Sequence, residues 1–395
     1  MNWVDLLVLG LAAIAAVSGA RQGMVVALPA FVGVLVGLIL GTQIAPLLVS
    51  QFENVVTKVV FAVGIVVLLV ALGETIGVYI GRTIKARVNA SPLRGADNAL
   101  GAIVQGLVVF VVAWMIALPL TSVVGLPDLT SSLKQSVILG KVDETMPQAA
   151  RVLSGDLQKL FDVSGFPQAM DPFNRTPLKE VEPPDSQLAN SPIAKRLQSS
   201  VLKIRGRAPS CSRALEGTGF VIAPERVMTN AHVVAGTNEV TVEVGRGQFD
   251  ATVVAYDPRT DIAILAVPDL QATPLQFRSE EVQPGESGIV LGYPLDGPFK
   301  SSPARIRERI PLLRGPDIYD AQTVTRDVYT VRAEVRSGNS GGPLVDTQGR
   351  VMGVVFGAAV DDPETGFVLT AQQVQSAAQK APTLTRRAST QGCAN

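Results

Sequence analysis

The chain of 395 residues has one histidine, two cysteines and two tryptophans, and only 17% of its residues are charged. One imidazole and two thiols are too few for a histidine-rich or four-cysteine centre, and no metal or cofactor is expected. Lysine plus arginine equals aspartate plus glutamate at 34 each, for a formal net charge of zero. A basic surface for nucleic acid is therefore not expected either. A reaction that needs an imidazole base has a single candidate, His232.

Apolar residues are abundant. At 47% hydrophobic, with a positive mean hydropathy, the chain is too greasy for a wholly soluble protein and too long for one ordinary domain. The excess lies at the front, where four runs approach the length needed to span a bilayer: Leu6 to Ala20, Met24 to Val49, Val59 to Ile80 and Ala102 to Val124. Met1-Asn2-Trp3-Val4-Asp5 lacks the basic opening of a signal peptide and another apolar run follows closely, so the first run reads as a retained span. Arg82, Lys85, Arg87 and Arg94 lie between spans three and four, and Arg21 between one and two. The positive-inside rule then places those loops in the cytoplasm and both chain ends outside. Gly33, Gly37 and Gly41 in the second span and Gly73, Gly77 and Gly81 in the third form small-residue stripes, which predict close helix packing in one four-helix unit. Glu74 is expected to face the bundle interior, either hydrogen-bonded as a structural group or handling protons or ions.

Beyond the spans, apolar residues from Leu133 to Phe161 recur at helical spacing, with Pro147 dividing two amphipathic helices. They suit either the membrane surface or packing against a neighbouring domain. From Gly165 to Pro192 the chain collects prolines among polar residues and reads as an extended, poorly packed linker open to cleavage. The expected organisation is a transmembrane domain over 1–125, amphipathic helices and linker over 126–190, and a further domain over 191–395. That last region alternates short β-runs with turns and ends in a helix, Ala371 to Lys380, capped by Thr370. Gly292 to Thr323, rich in arginine, has weak strand character and reads as a long loop that either gates a cleft or is merely solvated.

Three motifs in this region carry chemistry. Arg336-Ser337-Gly338-Asn339-Ser340-Gly341-Gly342-Pro343 can present a serine on a tight turn, with the N–H groups of Gly338 and Ser340 converging as an oxyanion hole. His232 sits at a strand end in Thr229-Asn230-Ala231-His232-Val233, and Asp261 heads the apolar run Ile262-Ala263-Ile264-Leu265. Each motif alone is unremarkable, as a core histidine, a cap and a loop. Their order suits a base, its orienting carboxylate and a nucleophile.

His232, Asp261 and Ser340, within roughly residues 195 to 380, resemble the trypsin/chymotrypsin superfamily in the short-looped form of bacterial envelope proteases. Residues 1 to 125 resemble the colicin V production family. Over the full length, four spans, a linker, a protease-like domain and a cysteine pair resemble the membrane-anchored acid-resistance proteases of mycobacteria. The resemblance implies a multidomain fold, with a four-helix transmembrane bundle followed by an all-β chymotrypsin-like double β-barrel whose triad lies between the barrels. It implies a serine endopeptidase on the extracytoplasmic (periplasmic) side, held in the lipid bilayer, which cuts cell-envelope proteins or peptides, cleaves itself and serves in acid stress. Glu334, six residues before Ser340, stands where the superfamily often places the floor of its specificity pocket; if it points inward it selects Arg or Lys.

With Cys211 and Cys393 both on the oxidising side, the simplest reading is a disulfide tying the C-terminal tail to the first barrel. Acid opposes the chemistry: an ordinary imidazole is protonated below about pH 6.5 and then cannot serve as a base. A role in acid has to act through the linker, the 292–323 loop, the bundle or the substrate. Two readings of other classes are an inactive peptide-binding module and a membrane transporter with an appended domain; an intact triad opposes the first, and a flux that persists without Ser340 would support the second.

Overall fold

The structure is a computed structural model that describes residues 2–49, 55–87, 94–121, 127–147, 169–170, 173–174, 176–209, 213–245 and 247–394. The chain divides into two compact units, Met1–Val163 with Pro172–Arg175, and Ser164–Asp171 with Thr176–Asn395.

The first unit holds α1 (Trp3–Gln22), α2 (Met24–Val49), α3 (Val55–Arg87) and α4 (Arg94–Leu120). Each contains a stretch long and apolar enough to cross a membrane. A capping box starts α1: Asp5 N–H donates to the Asn2 side chain at 3.1 Å, and Asn2 N–H donates to the Asp5 carboxylate at 3.0 Å. The glycine stripes lie where α2 meets α3. A methyl group on Gly33 would collide with the Gly73 carbonyl, one on Gly37 with the Leu69 carbonyl, and one on Gly77 with the Pro29 carbonyl, a register that runs antiparallel. Half-buried Glu74 on α3 accepts a 2.7 Å hydrogen bond from Gln105 Nε2 on α4.

The amphipathic region is interrupted once more than expected. α6 (Val137–Thr145) ends just before Pro147, as expected, and a further break falls between α5 (Pro127–Lys134) and α6. Ser136 fixes it there, because its oxygen caps Leu139 N–H while its hydroxyl donates to Asp5 Oδ1 at 2.6 Å. Leu133 and Leu139 are buried in the bundle core, and Trp114 Nε1 donates to Asp143 at 2.9 Å. This segment packs on the bundle. The second expected helix, around 149–161, lies outside the described residues.

The second unit contains two closed antiparallel barrels. β1 (Val201–Ala208), β2 (Arg213–Ala223), β3 (Arg226–Thr229), β4 (Glu239–Val244), β5 (Gly247–Asp257) and β6 (Ile262–Ala266) form the first, in the order β1-β2-β3-β6-β5-β4. β7 (Ser287–Gly292), β8 (Lys300–Pro316), β9 (Thr323–Ala333), β10 (Pro343–Val345), β11 (Val351–Ala358) and β12 (Thr365–Thr370) form the second, in the order β10-β11-β12-β9-β8-β7. Apolar side chains fill the interiors, Leu202, Ile204, Val227 and Leu265 in one and Val290, Ile306, Val331 and Val355 in the other, all fully buried. A short helix α7 (Pro192–Leu197) precedes β1, and α8 (Ala371–Lys380) follows β12 with Thr370 Oγ1 accepting from Gln373 N–H at 3.0 Å.

Two expectations are corrected here. The arginine-rich stretch read as a loop is mostly β8, paired with both β7 and β9. Register shifts at Ile306/Glu308 and Ile310/Leu313 break its inside–outside alternation, which erases the period-two signal. Of the proline-rich linker, the described stretch 176–185 has no helix or strand and is held on the second barrel, where poor packing was expected. Arg307, Arg332 and Arg305 donate to the carbonyls of Lys179, Val181 and Pro183 at 3.0, 2.9 and 3.2 Å. Thr176 N–H bonds Asp361 at 3.1 Å. Proline removes donors but leaves every carbonyl as an acceptor, so a proline-rich strap suits an arginine ladder.

The C-terminal tail lies along the first barrel, through Ala388 N–H to the Val253 carbonyl at 2.8 Å and Gly236 N–H to the Thr390 carbonyl at 2.9 Å. Cys393 carries no free thiol; Cys211 lies outside the described residues.

Candidate active site

His232 opens a 3₁₀ turn just after β3, and Asp261 stands in the β5–β6 turn. Asp261 adopts a left-handed φ of 66°, which aspartate tolerates better than most residues. Its N–H donates to the Asp257 carbonyl at 2.9 Å and its own carbonyl accepts from Asn230 Nδ2 at 2.7 Å. So fixed, the fully buried carboxylate takes two bonds from His232, the backbone N–H on Oδ1 at 3.0 Å and ring Nδ1 on Oδ2 at 2.8 Å. A carboxylate accepts only, so in the neutral ring Nδ1 carries the proton and Nε2 presents a lone pair.

Ser340 sits between β9 and β10, in a loop held mainly through its backbone. Thr218 on β2 donates its N–H to the Ser340 carbonyl at 2.8 Å and its hydroxyl to the Gly338 carbonyl at 2.6 Å, while that hydroxyl accepts from Tyr293 N–H at 3.0 Å. Asn339 Oδ1 accepts from Arg336 N–H at 3.0 Å, and Gly341 N–H reaches the Val355 carbonyl at 2.8 Å. Gly338 has φ +89°, and a methyl group there would strike the Tyr293 carbonyl, so both conformation and space require glycine. A methyl group on Gly341 would strike Thr229 Oγ1 and the Thr218 carbonyl and crowd Asn230 N, which puts the serine loop against the chain just before His232.

The structure thus joins His232 to Asp261 directly and brings the Gly338–Ser340 loop against β2 and the end of β3. Among the described residues, His232 Nε2 and Ser340 Oγ are both buried without a hydrogen-bond partner, and no bond joins them. Glu334 does not form a pocket floor. Its side chain is 47% exposed and paired with Lys300 Nζ at 2.9 Å and Arg336 Nε at 2.6 Å, which hold its carboxyl below the usual range.

Sequence reasoning missed Thr218, Asn230, Tyr293 and Arg326. Thr218 had a signal, since flanking glycines in Gly217-Thr218-Gly219 mark a strand that another backbone approaches. Arg326 is an arginine buried on β9; it donates to the carbonyls of Arg259 at 2.9 Å and Pro316 at 3.0 Å and lies over the Phe356 ring. Burial lowers the guanidinium's proton affinity, while the Asp261 charge opposes that effect. It ties the second barrel to the turn that carries Asp261.

Comparison with known proteins agrees with this architecture. Residues 217–354 match the trypsin-like peptidase domain family and residues 4–147 the colicin V production protein family. The chain is 48% identical over 374 residues to the serine protease Rv3671c of Mycobacterium tuberculosis, covering 94% of each protein. It is 35% identical over 162 residues to the mitochondrial serine protease HTRA2 of Bos taurus, covering 39% of this chain and 34% of that protein. The crystal structure of the active form of the Rv3671c protease superposes with a TM-score of 0.55 at 56% identity, over 57% of this chain and 99% of that one. Four apolar helices, a trypsin-like domain of two β-barrels and this similarity along nearly the whole of both chains establish that the protein belongs to the family of mycobacterial membrane serine proteases.

Proposed function

We propose that the enzyme is an endopeptidase in which Ser340 is the nucleophile, His232 the general base and Asp261 the group that orients it. His232 Nε2 takes the hydroxyl proton as Ser340 Oγ adds to the scissile carbonyl. The oxyanion is received by the N–H groups of Gly338 and Ser340. The imidazolium then returns that proton to the departing amine, and water repeats the sequence to release the acyl group. The observation that carries this reading is the 2.8 Å contact of Nδ1 with a fully buried carboxylate, with Nε2 buried and unbonded among the described residues. Full-length protein in detergent should be labelled by a fluorophosphonate and should cleave a peptide library; Ser340→Ala should do neither. Labelling that survives the substitution places the nucleophile elsewhere.

The working division is a membrane domain over 1–125, a connecting segment over 126–190 whose last part rides on the protease, and the protease domain over 191–395. Basic residues at Arg21 and from Arg82 to Arg94 favour a periplasmic protease domain acting on cell-envelope proteins, with roles in acid resistance and cell-wall enzyme processing by family likeness. Self-cleavage falls on the amino-terminal side of Thr176, because the arginine-bound strap beyond it is a poor substrate. Cys211 pairs with Cys393: the tail containing Cys393 runs beside Thr237 and Asn238, and Asn238 N–H bonds the Arg207 carbonyl, four residues before Cys211.

A further inference from the structure

The turn Tyr293–Gly297 contains two consecutive non-glycine residues in the left-handed region, Leu295 at φ 55° and Asp296 at φ 54°. Such a pair is costly and persists only where surrounding contacts over-determine it. The Leu295 side chain is 62% exposed, so it is not apolar burial that holds the turn. Charge holds it. Lys203 Nζ, on a residue only 8% exposed, donates to the Asp296 carbonyl at 2.6 Å and lies 2.5 Å from Asp296 Oδ1. Arg205, two residues along β1 and so on the same face, reaches the same oxygen at 2.9 Å and is itself fixed by Glu243 at 2.6 Å. A loop of the second barrel is thereby clamped to the first.

The turn's other side meets the serine loop. Leu295 N–H donates to the Ser337 carbonyl at 2.7 Å, Tyr293 N–H bonds the Thr218 hydroxyl that in turn holds the Gly338 carbonyl, and the Tyr293 carbonyl occupies the space where a Gly338 side chain would be. The Ser337–Gly338 peptide is therefore fixed at its carbonyl by a residue adjacent to Asp296. That peptide supplies the Gly338 N–H.

We propose that Asp296 is a positioning residue for the oxyanion hole: clamped by Lys203 and Arg205, it keeps the Tyr293–Gly297 turn where Leu295 N–H fixes the Ser337–Gly338 peptide and aims the Gly338 N–H at the reacting carbonyl. The proposal rests on the assignment of Ser340 and Gly338 made above. A group acting this way changes transition-state binding more than ground-state binding.

The test uses the full-length protein in detergent, with kcat and KM on a short peptide and inhibition by a peptide boronate, whose tetrahedral adduct fills the oxyanion hole, beside inhibition by the cleaved product. Asp296→Ala should lower kcat about 10-fold and weaken the boronate by a similar factor, with KM and product affinity within about two-fold. Asp296→Asn, which tolerates the left-handed backbone and keeps one oxygen for Lys203, should stay within about three-fold of wild type. Lys203→Met should follow Asp296→Ala. An Asp296→Ala enzyme with wild-type kcat overturns the proposal, as does a loss shared equally by KM, product and boronate. If Asp296→Ala does not fold, the pair Lys203→Met and Asp296→Asn decides: equal boronate affinities in the two refute the clamp. Fluorophosphonate labelling of Ser340→Ala overturns the nucleophile assignment itself, whereas loss of that labelling beside wild-type kinetics in Asp296→Ala overturns only the clamp.

Discussion

The two barrels contribute unequal halves of the site. The first delivers His232 and Asp261 from strand ends beside a filled core, already joined by two hydrogen bonds and backed by Asn230. The second delivers Ser340 on a loop whose shape depends on neighbours outside its own barrel, Thr218 above all. The half proposed to supply the base is buried and hydrogen-bonded within its own barrel. The half proposed to supply the nucleophile is fixed by a few polar contacts, many of them from the other barrel, and so is the half that a small perturbation can displace.

The largest effect should come from breaking the half that looks most rigid. Asp261→Asn keeps the shape, but its amide can donate to His232, favouring the tautomer with Nδ1 unprotonated and the Nε2 lone pair lost. kcat should fall by about 10⁴-fold with KM little changed, as steady-state kinetics on a peptide would show. A loss of only a few-fold would mean that Asp261 does not set the tautomer.

Next comes the loop. Gly338→Ala introduces both a left-handed alanine and a clash with the Tyr293 carbonyl, and the peptide can relieve both by turning its N–H away. Loss of one oxyanion donor should lower kcat by about 10²- to 10³-fold, with fluorophosphonate labelling slowed to match. Thr218→Val removes the hydroxyl between Tyr293 N–H and the Gly338 carbonyl but retains the backbone bond to Ser340. A smaller loss, about 10-fold in kcat, is expected. Should Thr218→Val prove as damaging as Gly338→Ala, the loop would be held at one point.

The same contrast explains what was legible in the sequence. His232, as the sole histidine, and the Gly338–Gly342 run announce themselves, because their chemistry needs rare residues at fixed spacing. Most strands followed from alternating apolar residues, and the helix contacts of Gly33 and Gly73 from their four-residue spacing. What stayed hidden depends on partners distant in sequence. Asp296 is an ordinary turn residue until Lys203, in another barrel, is placed against it. Glu334 looked like a pocket floor because position relative to Ser340 was the only guide, and sequence cannot say that Lys300 and Arg336 draw it outward. β8 was lost to its bulges, and the strap to its prolines, because the carbonyls of Lys179, Val181 and Pro183 find arginines on strands that were not adjacent in the chain.

The smallest effect separates the two sides of the clamp by pH. Glu216 on β2, opposite Arg205 in the β1 register, has its carboxyl raised above the ordinary value of 4.5, first by burial and then by the Asp296 charge. Asp296 is lowered from its ordinary 3.8, chiefly by the hydrogen bond from Lys203. The two therefore act with opposite sign. A raised carboxyl contributes stability below its unfolded value and loses that contribution as pH rises through the folded value, so ionised Glu216 is a liability at neutral pH. A lowered carboxyl contributes above its unfolded value and loses that contribution as pH falls through the folded value. Glu216→Gln should accordingly raise the melting temperature of the protease unit at pH 7 to 8 by about 1–2 °C, with the gain vanishing near pH 4; solvent screening keeps the effect small. Asp296→Asn should lower it by a similar amount at pH 7, with the difference closing below pH 4. Thermal melts of the three proteins from pH 4 to 8 measure both slopes, and a Glu216→Gln protein that is stabilised equally at every pH would show that its carboxyl does not titrate against Asp296.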